Sequence, residues 1–201
     1  MVSPAGRDGV PTALVVGAVV AVGAGLVFVS MASAHGPARW LGAGLALVML
    51  AIAVIDARSF LIPDPLNAAG LMLGIVNAAV LGQGDLMAPA DAVLRAVVAA
   101  AAFLGLRMAY ARLRGRHGIG LGDVKLAAVA GAWLDWSILP IAIEIAALSA
   151  LATYALCRYV LGRRMRPTSR LPFGLFFAPA IWMGWLLETT VLRGWYDLAL
   201  S

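Results

Sequence analysis

Two aspartates stand where this sequence could do chemistry. Asp56 closes the apolar stretch Ala53-Val54-Ile55-Asp56-Ala57-Arg58, and Asp123 opens another in Gly120-Leu121-Gly122-Asp123-Val124-Lys125. Two carboxylates brought together in a low dielectric cannot both ionise, so such a pair holds one proton between them. The ionised member takes a proton from water, while the protonated member polarises a carbonyl and later helps an amine to leave. The two titrate jointly, and the sequence does not divide the acid and base parts between Asp56 and Asp123. Gly120 and Gly122 lack Cβ atoms, which is expected to allow unusual φ values and close approach of a substrate strand to the backbone.

The pair is useful only if the chain carries both residues to one place. Their separation is 67 positions, so the placement must come from helices. Of 201 residues, 63% are hydrophobic and 12% are charged, and the mean hydropathy is +0.94. Soluble domains are about half apolar and a quarter charged, so the lipid bilayer must be the solvent for most of this chain. The expected fold is all-α: a polytopic membrane bundle of six to seven transmembrane helices, forming a single domain over residues 1–201. A span needs about 20 apolar residues. Seven candidates run near Pro11–Ser33, Trp40–Ile55, Pro65–Leu81, Ala88–Leu113, Gly122–Trp136, Ile138–Leu161 and Leu171–Leu192. The fifth is short, which fits little tilt or ends set in protein-lined cavities. Residues 1–36 are expected to hold an additional N-terminal transmembrane helix. Its rival is a signal peptide, since Arg7 precedes the apolar run and Ala32-Ser33-Ala34 ends it; the run is longer than the usual signal core.

The loops set the orientation. Arg58, Arg112, Arg114, Arg116, Arg163, Arg164, Arg166 and Arg170 fall on one side, against Arg39 and Arg193 on the other. Positive residues stay in the cytoplasm. Asp56 and Asp123 are thereby both expected at the cytoplasmic membrane boundary, at equal depth on helices that can be neighbours. Trp40, Trp133, Trp136 and Trp195 are expected in an interfacial belt on the outer side. The net charge of +5 is explained by these loop arginines, and nucleic acid is not an expected partner.

The remaining polar residues have plainer readings. Asp8, Asp85, Asp135 and Asp197 belong to loops or tails. Asp91 and Arg95, four apart, together with Glu144, are expected to form a buried structural cluster toward the outer side. Glu188 is expected to reach the outer interface. Lys125 either counters the charge of the aspartate pair or snorkels to the headgroups. In Leu61-Ile62-Pro63-Asp64-Pro65-Leu66-Asn67, Asp64 reads as a helix cap followed by a first-turn proline. Cys157 is the single cysteine and reads as a small buried hydrophobe. No metal and no cofactor is expected, and no oligomeric state is specified.

The residues around both aspartates resemble the bacterial type IV prepilin peptidases, the aspartyl proteases marked by a Gly-X-Gly-Asp motif. Ile55-Asp56 through Pro63-Asp64-Pro65-Leu66 resembles the family's first aspartate segment with its Pro-Asp stretch. Gly120-Leu121-Gly122-Asp123-Val124-Lys125-Leu126 resembles its second, and Pro172-Phe173-Gly174 resembles a third element at the start of the last helix. The resemblance covers about residues 40–190, and the expected peptidase core is 40–192. It implies that Asp56 and Asp123 are catalytic, supported by Pro63, Asp64, Gly120, Gly122, Lys125, Pro172, Phe173 and Gly174. It implies an endopeptidase of the bacterial inner membrane that removes leader peptides from prepilins at the cytoplasmic face. Larger members carry a Cys-containing region and also N-methylate their product. The lone Cys157 lies within a helix, so the resemblance is to the peptidase-only form that serves Flp/Tad-like pili. A competing reading is a small membrane transporter or proton/ion channel, which would want polar residues through the full bilayer depth. A structural subunit whose acids only pack is a third.

Overall fold

The apolar stretches become seven helices in a computed structural model that describes residues 12–115, 118–160 and 172–192. These are α1 (Thr12–Ser33), α2 (Ala38–Ser59), α3 (Asp64–Leu81), α4 (Met87–Arg114), α5 (Leu121–Trp133), α6 (Ile138–Ala155) and α7 (Gly174–Leu187). α6 and α7 each continue into a π-helical turn, Leu156–Val160 and Glu188–Leu192. All but α5 are long and apolar enough to cross a membrane. The chain is a multi-pass membrane protein. Asp8, Arg116, Arg163, Arg164, Arg166, Arg170, Arg193, Trp195 and Asp197 lie outside the described residues.

α5 is the exception that organises the rest. Its 13 residues extend about 20 Å at 1.5 Å each, short of the roughly 30 Å hydrocarbon core. It meets protein instead of lipid. α4, α3 and α7 surround it, and α2 packs in turn against α7, α1 and α3. Val124, Leu126, Ala127 and the unbroken run Val129–Trp133 are buried.

Small residues bring the neighbours close, as they do where lipid offers no hydrophobic drive between helices. Gly131 of α5 lies against the Arg95 backbone of α4, where a methyl group would collide with the carbonyl. The buried face of α3 consists of Asn67, Gly70, Gly74 and Asn77. Its two glycines receive Val129 and Trp133 of α5. The Trp133 indole N–H donates to the Gly70 carbonyl at 2.8 Å.

That contact corrects an expectation. Trp40 and Trp136 are exposed as belt residues should be, but Trp133 is only 3% exposed. Interfacial placement fails for it because the helix that ends on it never reaches lipid. At the N-terminal end of the bundle, α1 rests on α2. Ser30 Oγ accepts the Trp182 indole N–H at 2.9 Å, tying α1 to α7.

The close approach at Gly131 predicts a contrast between two alanine substitutions. Gly131→Ala should destabilise by about 1–3 kcal/mol through overpacking. Gly105→Ala, whose methyl meets nothing within 4 Å, should leave stability unchanged or raise it by up to about 1 kcal/mol. Thermal unfolding in detergent measures both.

Candidate active site

Asp56 lies one turn before the end of α2 and is buried, 4% exposed. α2 stops because Phe60 takes a left-handed conformation (φ 54°, ψ 33°), and its N–H donates back to the Asp56 carbonyl at 2.9 Å. This is a C-terminal turn of the kind glycine usually makes. It reverses the chain so that Ile62 enters the bundle, buried, beside Asp56.

The carboxylate is met by the start of α7. The Leu175 N–H donates to Asp56 Oδ2 at 3.0 Å, and the Gly174 N–H is directed at the same carboxylate. The first amides of a helix have no partner within it and favour a negative group. A Cβ on Gly174 would stand 2.8 Å from Asp56 Oδ2 and 2.8 Å from Ile62 Cδ1, so only glycine fits. Phe173, the N-cap, packs its ring 5.3 Å from Phe177, which stacks on Phe103 at 5.6 Å. With half-buried Pro172 before it, the Pro-Phe-Gly element therefore anchors the helix start and opens it to Asp56.

Asp123 is the third residue of α5. Its Oδ2 accepts the Gly120 N–H at 3.0 Å, so the acid caps the helix that carries it. Gly120 has φ −72° and ψ 153°, an ordinary extended conformation, which corrects the expected unusual φ. What its missing Cβ spares is Asp123 Oδ2, 3.1 Å away. Gly122 does permit a close approach, but the approaching group is Ile62, whose Cβ would be 3.1 Å from a methyl there.

Ile62 thus touches Gly174 beside Asp56 and Gly122 beside Asp123. One side chain links the glycine against Asp56 to the glycine that precedes Asp123.

Lys125 belongs to a different pair. Its Nζ lies 2.6 Å from Asp64 Oδ1, with both side chains largely exposed. The partner found for Lys125 is thus Asp64, and the amine bridges α5 to α3. Asp64 is the first residue of α3, after an extended Pro63 at the cap position, and makes no capping bond. Pro65 does fall in the first turn. Asp64 as a cap is therefore corrected: the cap position falls one residue earlier, and its carboxylate is turned to Lys125.

Two contributors were missed in the sequence. Ile62 carried no chemical signal. Arg107 did, as a basic residue inside the fourth apolar stretch; its Nη1 donates to the Ile119 carbonyl and pins the chain just before Gly120.

The second polar cluster lies at the other end of α5. Arg95 is ion-paired with Asp91, reaches Asp135 Oδ1 at 3.4 Å and donates from Nε to the Gly131 carbonyl at 3.2 Å. Glu144 does not join it and is exposed on α6. Position along the chain had set its depth, but not the face of α6 from which it projects. Glu188 accepts the Asp135 N–H at 2.7 Å.

The profile of the type IV leader peptidase family matches residues 43–156, a range that includes both Asp56 and Asp123. The chain belongs to that family. Among its relatives is the prepilin leader peptidase/N-methyltransferase of Aeromonas hydrophila, 31% identical over 85% of this chain and 57% of its own length. The proteins of the same name from Dickeya chrysanthemi and Escherichia coli (strain K12) are 35% and 37% identical. These cover 74% and 65% of this chain, and 50% and 55% of their own lengths. The chain therefore spans about half the length of these relatives. No solved structure matches it.

Two substitutions test the geometry. Gly174→Ala should cost about 1–3 kcal/mol, since the methyl overlaps both Asp56 and Ile62. Lys125→Met removes an exposed pair and should cost under about 1 kcal/mol. Thermal unfolding of the two variants beside the wild type checks the ranking.

Proposed function

We propose that this chain is an aspartic endopeptidase that removes the leader peptide from type IV prepilins, of the Flp/Tad-like kind, at the cytoplasmic face of a bacterial inner membrane. The observation that carries the proposal is Ile62, which meets Gly174 against Asp56 and Gly122 next to Asp123, with each carboxylate held by backbone amide donation.

In this reading a water molecule lies between the two carboxylates. The ionised one removes its proton as the oxygen attacks the scissile carbonyl, and the protonated one donates to the carbonyl oxygen. Collapse of the tetrahedral intermediate breaks the C–N bond and transfers a proton to the departing amine. One water is consumed, and the pair returns to its single shared proton. Amides from α7 and from Gly120 hold the carboxylates in place, so little reorganisation accompanies the reaction. The reading covers peptide cleavage alone. It takes α2–α7 as the peptidase core, and the Ser30–Trp182 bond supports α1 as a retained helix. The arginine distribution supports the cytoplasmic face.

A conduit gains no support. Leu126, Ala127, Val129 and Ala130 are buried between the Asp123 end of α5 and the Arg95 cluster, and they offer no polar steps for an ion.

Co-expression with a Flp-type prepilin from the same genome, followed by gel shift, tests the proposal. Wild type should remove the leader. Asp56→Asn and Asp123→Asn should each lower cleavage by roughly a hundredfold or more at unchanged membrane levels. Cleavage that survives both substitutions overturns the assignment.

A further inference from the structure

At the end of the bundle away from Asp56 and Asp123 there is a half-enclosed cavity of about 530 Å³. It is bounded by the ends of α3, α4, α5 and α7, and the peptidase reading makes no use of it. Four charged groups line it: Arg95 against Asp91, Asp135 and Glu188. Arg95 alone serves both Asp91 and Asp135 and also donates to the Gly131 carbonyl, so these two carboxylates outnumber the one cation they share. Asn77 lines the same cavity. It is 5% exposed, and its Oδ1 has no hydrogen-bond donor. A buried acceptor without a donor is costly and calls for an explanation.

The wall behind these acceptors is aromatic. Trp133 and Trp185 meet edge to face, with centroids 6.4 Å apart. The Trp133 N–H is occupied by Gly70, so this wall offers no donor to the Asn77 oxygen from that ring.

Excess carboxylate and a buried acceptor lacking a donor together describe a cationic donor. An ammonium group has three N–H donors and no acceptor. An anion would meet the wrong sign of charge. A metal ion would sit beside Arg95, and among the described residues no group of three His, Cys, Asp or Glu side chains is arranged to hold one. We propose that this cavity binds a primary ammonium group, with Asn77 Oδ1 and the carboxylates of Asp91 and Asp135 as its acceptors. Exposed Leu86 and Met87 adjoin Ala88 at the rim. They place an apolar lip beside the polar chamber, so the ammonium can come from an ethanolamine phospholipid headgroup or from a soluble amine.

Thermal unfolding of the purified full chain in detergent tests this, with phosphatidylethanolamine, phosphatidylglycerol and free ethanolamine titrated separately. Bound ligand raises the melting temperature by mass action. Phosphatidylethanolamine should raise it and phosphatidylglycerol should not. Asp135→Asn, at an exposed position, should require a roughly tenfold higher concentration for the same shift. Asn77→Leu should abolish the shift, yet unfold no lower than wild type without ligand, because it removes the unpaired buried oxygen. If Asn77→Leu does not fold, Asp135→Asn decides alone. A shift with free ethanolamine as well assigns the site to amines in general, and a shift with the phospholipid only assigns it to the headgroup. No shift with either amine, an equal shift with phosphatidylglycerol, or a wild-type shift retained in the folded variants overturns the proposal.

Discussion

A helix of 13 residues cannot cross the hydrocarbon core, and its terminal amides and carbonyls would be unsatisfied in lipid at several kcal/mol each. α5 can exist only if protein covers it on every side. The glycines of α3 and Gly131 serve that need, because each removes the atom that would hold a neighbour away. The same packing fixes the polar partners at the two ends of α5. At one end Gly120 and Asp123 satisfy each other, and at the other the Gly131 carbonyl accepts from Arg95. The two polar regions described at the ends of α5 are consequences of one short, largely buried helix.

The Asp56 end adds a second constraint. A carboxylate one turn inside an apolar helix is expensive to bury without donors. α2 cannot provide them, since its own amides are consumed by helical bonds. They come from the start of α7, where amides are free. α7 must therefore begin at the depth of Asp56, and its first residue must lack a side chain. The Phe60 turn completes the arrangement. A left-handed non-glycine residue costs roughly 1–2 kcal/mol, offset here by the bond to the Asp56 carbonyl and by the burial of Ile62 that the turn makes possible.

Much of this is written in the sequence at the level of spacing. The seven apolar stretches, with their boundaries to within a few residues, follow from hydropathy, because the bilayer permits little besides helices. That Asp56 falls at the end of one helix and Asp123 at the start of another was legible from the same spacing. What hydropathy cannot supply is azimuth. It left Trp133 in the belt when the ring faces Gly70, joined Glu144 to a cluster it does not enter, and offered Lys125 two roles when Asp64 holds it. Each of these errors concerns which way a side chain points around its helix, a choice made by neighbours distant in sequence. Low amphipathicity in an almost uniformly apolar helix removes the one local cue to that direction. Arg107 was legible and overlooked, since a basic residue within an apolar stretch requires an acceptor.

In the proposed peptidase, the depth of the acid pair follows from what hydrolysis requires. Water must reach the carboxylates, yet their mutual influence weakens in a high dielectric. A site at the membrane centre would lack the reactant, and a site in a loop would lack the coupling. The first turn of α5 and the last turn of α2 satisfy both demands. Asp56 is buried and Asp123 partly buried, while Leu121 two residues earlier and Phe60 four residues later are exposed. Ile62 is buried between Gly122 and Gly174. In that reading the ends of α2 and α5 are where two carboxylates can be partly shielded by protein and still near water.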